Sequence, residues 1–344
     1  MLLRKLSEAY GVSGREDAVR AILLEEIRGR VDECRIDAVG NLIARKKGSG
    51  PSQVRVLAAA HMDEVGLMIT QVEDTGALRF AKVGGIDDRV LPAKPVRIGD
   101  KGVPGVIMWK PVHLQEKAEK DQVIACNQLA IDIGASSKGE AEKLVQRGDY
   151  AVFDVSFEEI GSGSHRAVIG RALDDRVGCA ILAELLKERF PFDFSAAFTV
   201  QEEVGLRGAR VAAFAEDPAA AVVLECTGAN EVPTKRDVSP STRLGMGPAL
   251  TIMDNSFIAD PRLLAHFTET ARRLGIPHQF KQPNIGGTDA GAIQRARAGV
   301  PSITLAVLGR YIHSPAAIMD MGDFDHAVAL AREGLARLPE ALKA

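Results

Sequence analysis

The sequence is short of several things. Its opening stretch, MLLRKLSEAYGVSGRED, reaches charged residues almost at once, so it supplies neither a signal peptide nor a membrane span, and the expected compartment is the cytoplasm. It has no basic block and no aromatic-rich stretch to track a phosphate backbone. With 43 Lys and Arg against 46 Asp and Glu, a net charge of -3 and only 5% aromatic residues, nucleic acid is excluded as an expected partner. Cysteine is also scarce. Cys34, Cys126, Cys179 and Cys226 show no CxxC spacing, which argues against a disulfide framework or a thiolate zinc site and leaves all four expected as small buried residues.

What is present is an ordinary globular composition, 46% hydrophobic over 344 residues, enough for two domains or one large one. Ser13 and Glu16 have capping-box spacing ahead of Val19, Ile22, Leu23 and Ile27, which recur at helical intervals. VRVLAAA at 54–60 is a short apolar run with one Arg, suited to a strand covered on both faces. From about residue 66 to 164 the texture changes to short β-branched runs such as GLMITQV and GVPGVIMW between Gly, Pro and Asp turns, with one helix-like piece near 139–146. Alternating helices and strands then return: helices near 176–189, 208–215 and 261–274, strands near 195–200, 219–226 and 300–307, and a closing helix with Phe324, Val328, Ala331, Leu335 and Leu338 on one face. The reading is an α/β domain over 1–65 and 165–344, interrupted by a β-rich insert over 66–164.

Five clusters offer chemistry. In AHMDEVG, His61 leaves a strand-like run with Asp63 two positions on; the pair suits a buried histidine beside a turn residue, or a metal ligand whose second nitrogen Asp63 orients. In RALDDRVG, Asp174 and Asp175 precede an apolar helix. One acid would serve as a cap, but two adjacent ones repel unless a cation offsets them. In FTVQEEVGLRG, Glu202 and Glu203 end a strand and point in different directions, so one can ligate while the other reaches water, a solvated acidic turn being the alternative. Glu225 closes an apolar run and His313 follows another in RYIHSP. Together His61, Asp174, Glu203, Glu225 and His313 form a carboxylate and imidazole set without thiolates, suited to zinc, cobalt or manganese. Five such ligands divide between two ions if one carboxylate bridges.

AHMDEVG, ALDDRVG, QEEVGLRGA, GGTDAG and RYIHSP, in that order and over nearly the whole chain, resemble family forty-two of the metallopeptidases, the tetrahedral aminopeptidases and their glutamyl and deblocking relatives. The resemblance implies a mixed-sheet zinc-peptidase domain with helices on both faces. It also implies a β-barrel-like insert for dimerisation, and a homo-oligomer in which dimers build a hollow tetrahedral dodecamer. It makes Asp174 the bridging ligand, puts His61 and Glu225 on one ion and Glu203 and His313 on the other, and makes Glu202 the catalytic base and Asp63 the support of His61. Relatives with Asp in place of Glu225 differ by one methylene. Gly287, Thr288 and Asp289 of GGTD resemble the family's substrate-pocket segment, although Thr288 as a helix cap reads equally well.

The implied reaction is hydrolysis of N-terminal residues from peptides, with Glu202 taking a proton from a metal-activated water and returning it to the leaving amine. Recognition of the free amine rests on resemblance alone. Three other readings stay open: a hydrolase of acylated amino acids with the same ligands, a glycosidase using Glu202 and Glu203, and a non-catalytic assembly protein. The glycosidase leaves the histidines unexplained. The assembly protein would be marked by a lost ligand or base, and none is lost. Arg243 is a candidate contact for an acidic substrate side chain, or a solvated surface residue.

Overall fold

The computed structural model describes residues 1–50, 54–117, 122–161, 166–229, 231, 242–281, 283 and 286–342. Its strands are β1 (Glu33–Ile36), β2 (Leu42–Lys46), β3 (Arg55–His61), β4 (Gly66–Val72), β5 (Leu78–Val83), β6 (Pro95–Ile98), β7 (Val103–Ile107), β8 (Ile131–Asp132), β9 (Tyr150–Phe153), β10 (Glu158–Ile160), β11 (Ala167–Gly170), β12 (Asp193–Thr199), β13 (Ala220–Gly228), β14 (Ala249–Thr251), β15 (Gln279–Lys281), β16 (Ser302–Arg310) and β17 (Ala317–Asp320). The main helices are α1 (Leu2–Glu8), α2 (Asp17–Ile27), α3 (Leu173–Leu185), α4 (Arg207–Glu216), α5 (Pro261–Leu274), α6 (Ala290–Gln294) and α7 (Met321–Ala336). Among the described residues, no helix is long and apolar enough to cross a membrane.

Among the described residues, eleven strands form one mixed sheet in the order β1-β2-β12-β3-β13-β16-β17-β11-β10, with β14 and β15 paired beside β16. β12, β3, β13 and β16 run parallel at its centre, flanked by antiparallel neighbours. The apolar runs alternate between two cores. Val56, Ala58 and Ala60 of β3 pack on the side of α3, α5 and α7, while Leu57 and Ala59 pack on the side of α4 and α6. A strand buried on both faces has no polar side to show, which is why these segments read as unbroken apolar runs.

β4 to β9 close into a six-stranded antiparallel barrel, ordered β4-β5-β8-β7-β6-β9, around its own core of Leu67, Ile69, Phe80, Ile98, Ile131 and Phe153. The chain leaves the large sheet after β3 and rejoins it at β10, ahead of residue 165.

Two sequence expectations change. α2 buries Val19, Leu23 and Ile27 as its spacing requires, but Ser13 and Glu16 do not form a capping box. The Ser13 hydroxyl donates to Asp63 (2.6 Å), and Glu16 accepts from the amides of Gly14 (2.6 Å) and Gln201 (3.2 Å). These two side chains tie the N-terminal loop to the strand ends instead of to their own helix. The cysteines also divide: Cys179 and Cys226 are buried, Cys126 is intermediate and Cys34 is exposed. The exposure of Cys34 follows from its place on the edge strand β1.

The loop after β3 is anchored by a buried ionic cluster. Arg176, fully buried, donates to the carbonyls of Met62 (2.8 Å), Ala9 (3.0 Å) and Leu6 and to Glu64 (3.1 Å). Arg171 pairs with the same carboxylate, which also accepts from the amide of Gly11 (3.1 Å). Removing one partner from such a cluster leaves uncompensated buried charge. Glu64→Gln is therefore expected to lower unfolding stability by about 3–5 kcal/mol in denaturant titrations; an unchanged midpoint would show that the cluster is not holding the loop.

Candidate functional site

The C-terminal edge of a parallel sheet is where loops converge and ligands gather, and the acids and histidines collect there. His61 ends β3, Glu202 and Glu203 sit in the turn after β12, Glu225 lies on β13, and His313 follows β16. Asp174 enters from the start of α3, where it and Asp175 keep non-helical backbone angles. The His61 Nε2 atom is 3.3 Å from Asp174 Oδ1 and 3.3 Å from Glu225 Oε1. The His313 Nε2 atom is 3.4 Å from Asp174 Oδ2 and 3.3 Å from Glu203 Oε1. Asp174 thus offers one oxygen to each imidazole, and each imidazole has a glutamate at its side.

Hydrogen bonds behind the rings fix which nitrogen faces inward. His61 Nδ1 lies 3.1 Å from the Asp63 carbonyl and His313 Nδ1 lies 2.9 Å from the Gly85 carbonyl, so each ring donates outward and turns its Nε2 to the cluster. The Asp63 carboxylate lies 3.4 Å from His61 Nδ1 and accepts the amides of Glu202 (3.0 Å) and Glu203 (3.2 Å). One buried acid thereby sets a ring and a turn together. Asp175 accepts from the amides of His61 (3.2 Å) and Gly178 (3.0 Å), and its carboxylate also lies within 4.8 Å of donor atoms of His61 and Glu225. A Cβ on Gly178 would stand 2.4 Å from that carboxylate, which explains the glycine of DDRVG. Asp174 faces both imidazoles, and Asp175 holds backbone amides beside the same cluster of donors.

The electrostatics show an excess of negative charge. Burial works against a charged His61, yet Glu225, Asp174 and Asp63 raise it well above the usual histidine range. Burial opposes a charged His313 too, but Asp174 and Glu203 push it up to about 9. Burial, then the charge of Asp174, pushes Glu203 up to about 8, and burial lifts Glu202 well above the carboxylate range. Burial also takes Asp289 to about 7. Glu225 Oε2 is buried without a hydrogen-bond partner. Carboxylates this crowded repel one another unless cations sit among them, and the nitrogen and oxygen donors suit divalent ions such as zinc, cobalt or manganese.

A cavity of about 360 Å³ opens onto the cluster, lined by His61, Asp174, Glu202, Glu203, Glu225 and His313 on one side. Gly287 and Thr288 line it as well. Asp289 is buried and accepts from the Thr199 hydroxyl at 2.5 Å. Thr288 does not cap α6; its hydroxyl lies within 3.4 Å of Asp254 and 3.3 Å of Thr304. Arg243 donates its amide to Gln279 (2.8 Å) and does not line the cavity among its described residues. Sequence reasoning passed over the Glu64 cluster, the role of Ser13, the Gly85 carbonyl and Lys281. Each depends on partners distant in sequence.

A sequence profile described as M42 glutamyl aminopeptidase matches residues 40–330. A putative aminopeptidase of Acetivibrio thermocellus is 38% identical over 97% of this chain and 97% of its own length. The lysyl aminopeptidase of Pyrococcus furiosus is 36% identical over 98% and 96%. Among solved structures, a TET aminopeptidase from the Thaumarchaeota archaeon SCGC AB-539-E09 superposes with a TM-score of 0.93 at 36% identity, covering 99% of this chain and 98% of that one. The Pyrococcus horikoshii TET1 peptidase, described as able to assemble into a tetrahedron or a large octahedral shell, superposes with a TM-score of 0.85 at 37% identity, covering 97% and 98%. On a match that spans most of the chain and a fold shared over nearly all of it, this protein belongs to the M42 glutamyl aminopeptidase family and is a peptide hydrolase.

Proposed function

We propose that the chain is a two-metal aminopeptidase that removes residues from the N-terminus of peptides. The observation that carries this is the geometry of Asp174, whose two oxygens face the inward nitrogens of His61 and His313. His61 and Glu225 would hold one ion, Glu203 and His313 the other, with Asp174 shared. The unpartnered Glu225 Oε2 and the outward-bonded Nδ1 atoms fit that assignment. Two divalent ions held there would supply the Lewis acidity that peptide hydrolysis needs. Zinc is the first candidate, cobalt and manganese the next.

Glu202 is the proposed proton carrier. Its carboxyl group lines the cavity, its backbone is fixed by Asp63, and burial raises its affinity for a proton, so it can accept one from water and return it to the leaving amine. Glu203, 3.3 Å from His313, is occupied with that ring and leaves Glu202 to act alone. Asp63 acts through His61 and the turn. The free α-amine of the substrate would meet the remaining acids, and Gly287 and Thr288 would line the subsite beside them.

The division into an α/β catalytic part and a barrel that joins copies of the chain is part of the same proposal. The barrel segment exposes Met108, Trp109, Val112, Leu114 and Val123, each about half or more exposed, a concentration of apolar surface that a monomer rarely leaves uncovered. Together with the assembled relative, this supports a dimer that builds a larger shell. The free state of all four cysteines fits the cytoplasm.

Three outcomes test the reading. Glu202→Gln is expected to lower kcat by about 10²–10⁴-fold while two metal equivalents remain by elemental analysis; unchanged turnover would remove Glu202 from the mechanism. Chelation is expected to abolish cleavage of aminoacyl amides, zinc, cobalt or manganese to restore it, and N-acetylated analogues to stay intact throughout; cleavage of the blocked substrates would favour an acylamino-acid hydrolase. The double substitution Val112→Asp with Leu114→Asp is expected to reduce the particle mass measured by light scattering, and an unaltered mass would place the interface elsewhere.

A further inference from the structure

The turn that carries Glu202 is held from outside, by side chains that lie far back in the chain. Its consecutive amides from Val200 to Glu203 each donate to a side-chain oxygen of another segment. Val200 donates to Asn41 Oδ1 (3.0 Å), Gln201 to Glu16 Oε1 (3.2 Å), and Glu202 and Glu203 to the two oxygens of Asp63 (3.0 and 3.2 Å). All three accepting side chains are buried. The far side of the turn closes on itself, with the Glu202 carbonyl accepting from Gly205 and Leu206 and the Gln201 carbonyl from Arg207.

The acceptors are fixed in turn. Asp37 takes the amides of Val39, Gly40 and Asn41 and also the Asn41 Nδ2 (2.7 Å), which donates to the Gly208 carbonyl as well (2.9 Å). A Cβ on Gly208 would collide with Asn41 Oδ1, so the glycine is what admits the asparagine. Glu16 Oε1 is steadied by the Gly14 amide (2.6 Å), and the loop that carries it is bridged to the chain after β3 at Val12 and Glu64.

This support has a purpose at Gln201, which adopts a left-handed backbone (φ 57°). A residue with a side chain keeps that conformation only where its surroundings over-determine it. Glu16 is the acceptor bound to that residue. Without its oxygen Gln201 is free to relax toward extended backbone, which rotates the peptide leading into Glu202 and swings its carboxyl group from the cavity wall.

We propose that Glu16 is a positioning residue for Glu202: by accepting the Gln201 amide it holds the proton carrier at the angle from which it serves the cavity. The inference rests on the assignment of Glu202 made above.

The experiment compares metal-loaded wild type, Glu16→Gln, Glu16→Asp and Glu16→Ala, alone and combined with Glu202→Gln, on the best-cleaved of a set of aminoacyl p-nitroanilides. Metal content and thermal midpoint are measured for every variant. Glu16→Gln keeps an oxygen at the same reach and is expected to keep most of kcat. Glu16→Asp keeps the charge but is one methylene short, and with Glu16→Ala it is expected to lower kcat by about tenfold to 10²-fold with KM and metal content unchanged; should Glu16→Ala not fold, Glu16→Asp carries the comparison. Hydrogen exchange over residues 200–206 is expected to quicken in both. Combined with Glu202→Gln, neither substitution is expected to lower kcat further, because the group that Glu16 aims is already gone. Retained kcat in metal-replete Glu16→Asp, unaltered exchange across the turn, or an equal loss in both backgrounds overturns the proposal. If Glu202→Gln alone keeps wild-type turnover, the assignment of Glu202 itself fails and this inference goes with it.

Discussion

Repulsion among buried carboxylates is the constraint around which the sheet end is built. Asp174, Glu203, Glu225, Glu202 and Asp289 gather where the central parallel strands finish, and two imidazoles do not balance them. Separating such acids would be the cheaper solution for a fold that had no use for the charge. Here the opposite is arranged. Asp63 and Asp175 spend their carboxylates on backbone amides and so lock the positions of the very groups that repel. The rest of the local structure follows from holding that geometry against its own electrostatics.

The Glu64, Arg171 and Arg176 cluster is the counterweight to that arrangement. Its guanidinium groups reach the carbonyls of α1 and of the loop after β3, which joins the first helix, the last turn before the barrel and the start of α3 in one buried network. His61 ends the strand before that loop, Asp63 lies within the loop and Asp174 lies at the start of that helix. A fold element and a site element are thus pinned by the same side chains, and the motifs AHMDEVG and ALDDRVG each contribute one half. The acids and the arginines of these motifs are neighbours in sequence because one faces the cavity and the next faces the support.

Much of this could be read before any coordinates. Apolar runs such as VRVLAAA marked strands covered on both faces because such burial removes the alternation that would mark an exposed one, and the helix expected at 261–274 is α5. The acids and histidines stood out because ionisable groups directly after buried strands are costly without partners. What stayed hidden depends on distance in sequence. Ser13 has the spacing of a cap, yet its hydroxyl is taken by Asp63, fifty positions on; that tertiary hydrogen bond outcompetes the local one. Lys281 gave no signal because a lone lysine is nearly always at the surface, and only the reversed polarity of Phe280 and Lys281 in the folded strand reveals it.

The barrel is joined to the site by more than two chain crossings. The carbonyl that orients His313 belongs to Gly85, in the turn after β5, so one of the two inward-facing imidazoles takes its direction from the insert. His313 itself adopts a left-handed backbone (φ 57°), a conformation that surrounding contacts must hold in place for a residue with a side chain. Contacts that seat the barrel on the sheet therefore also seat that ring.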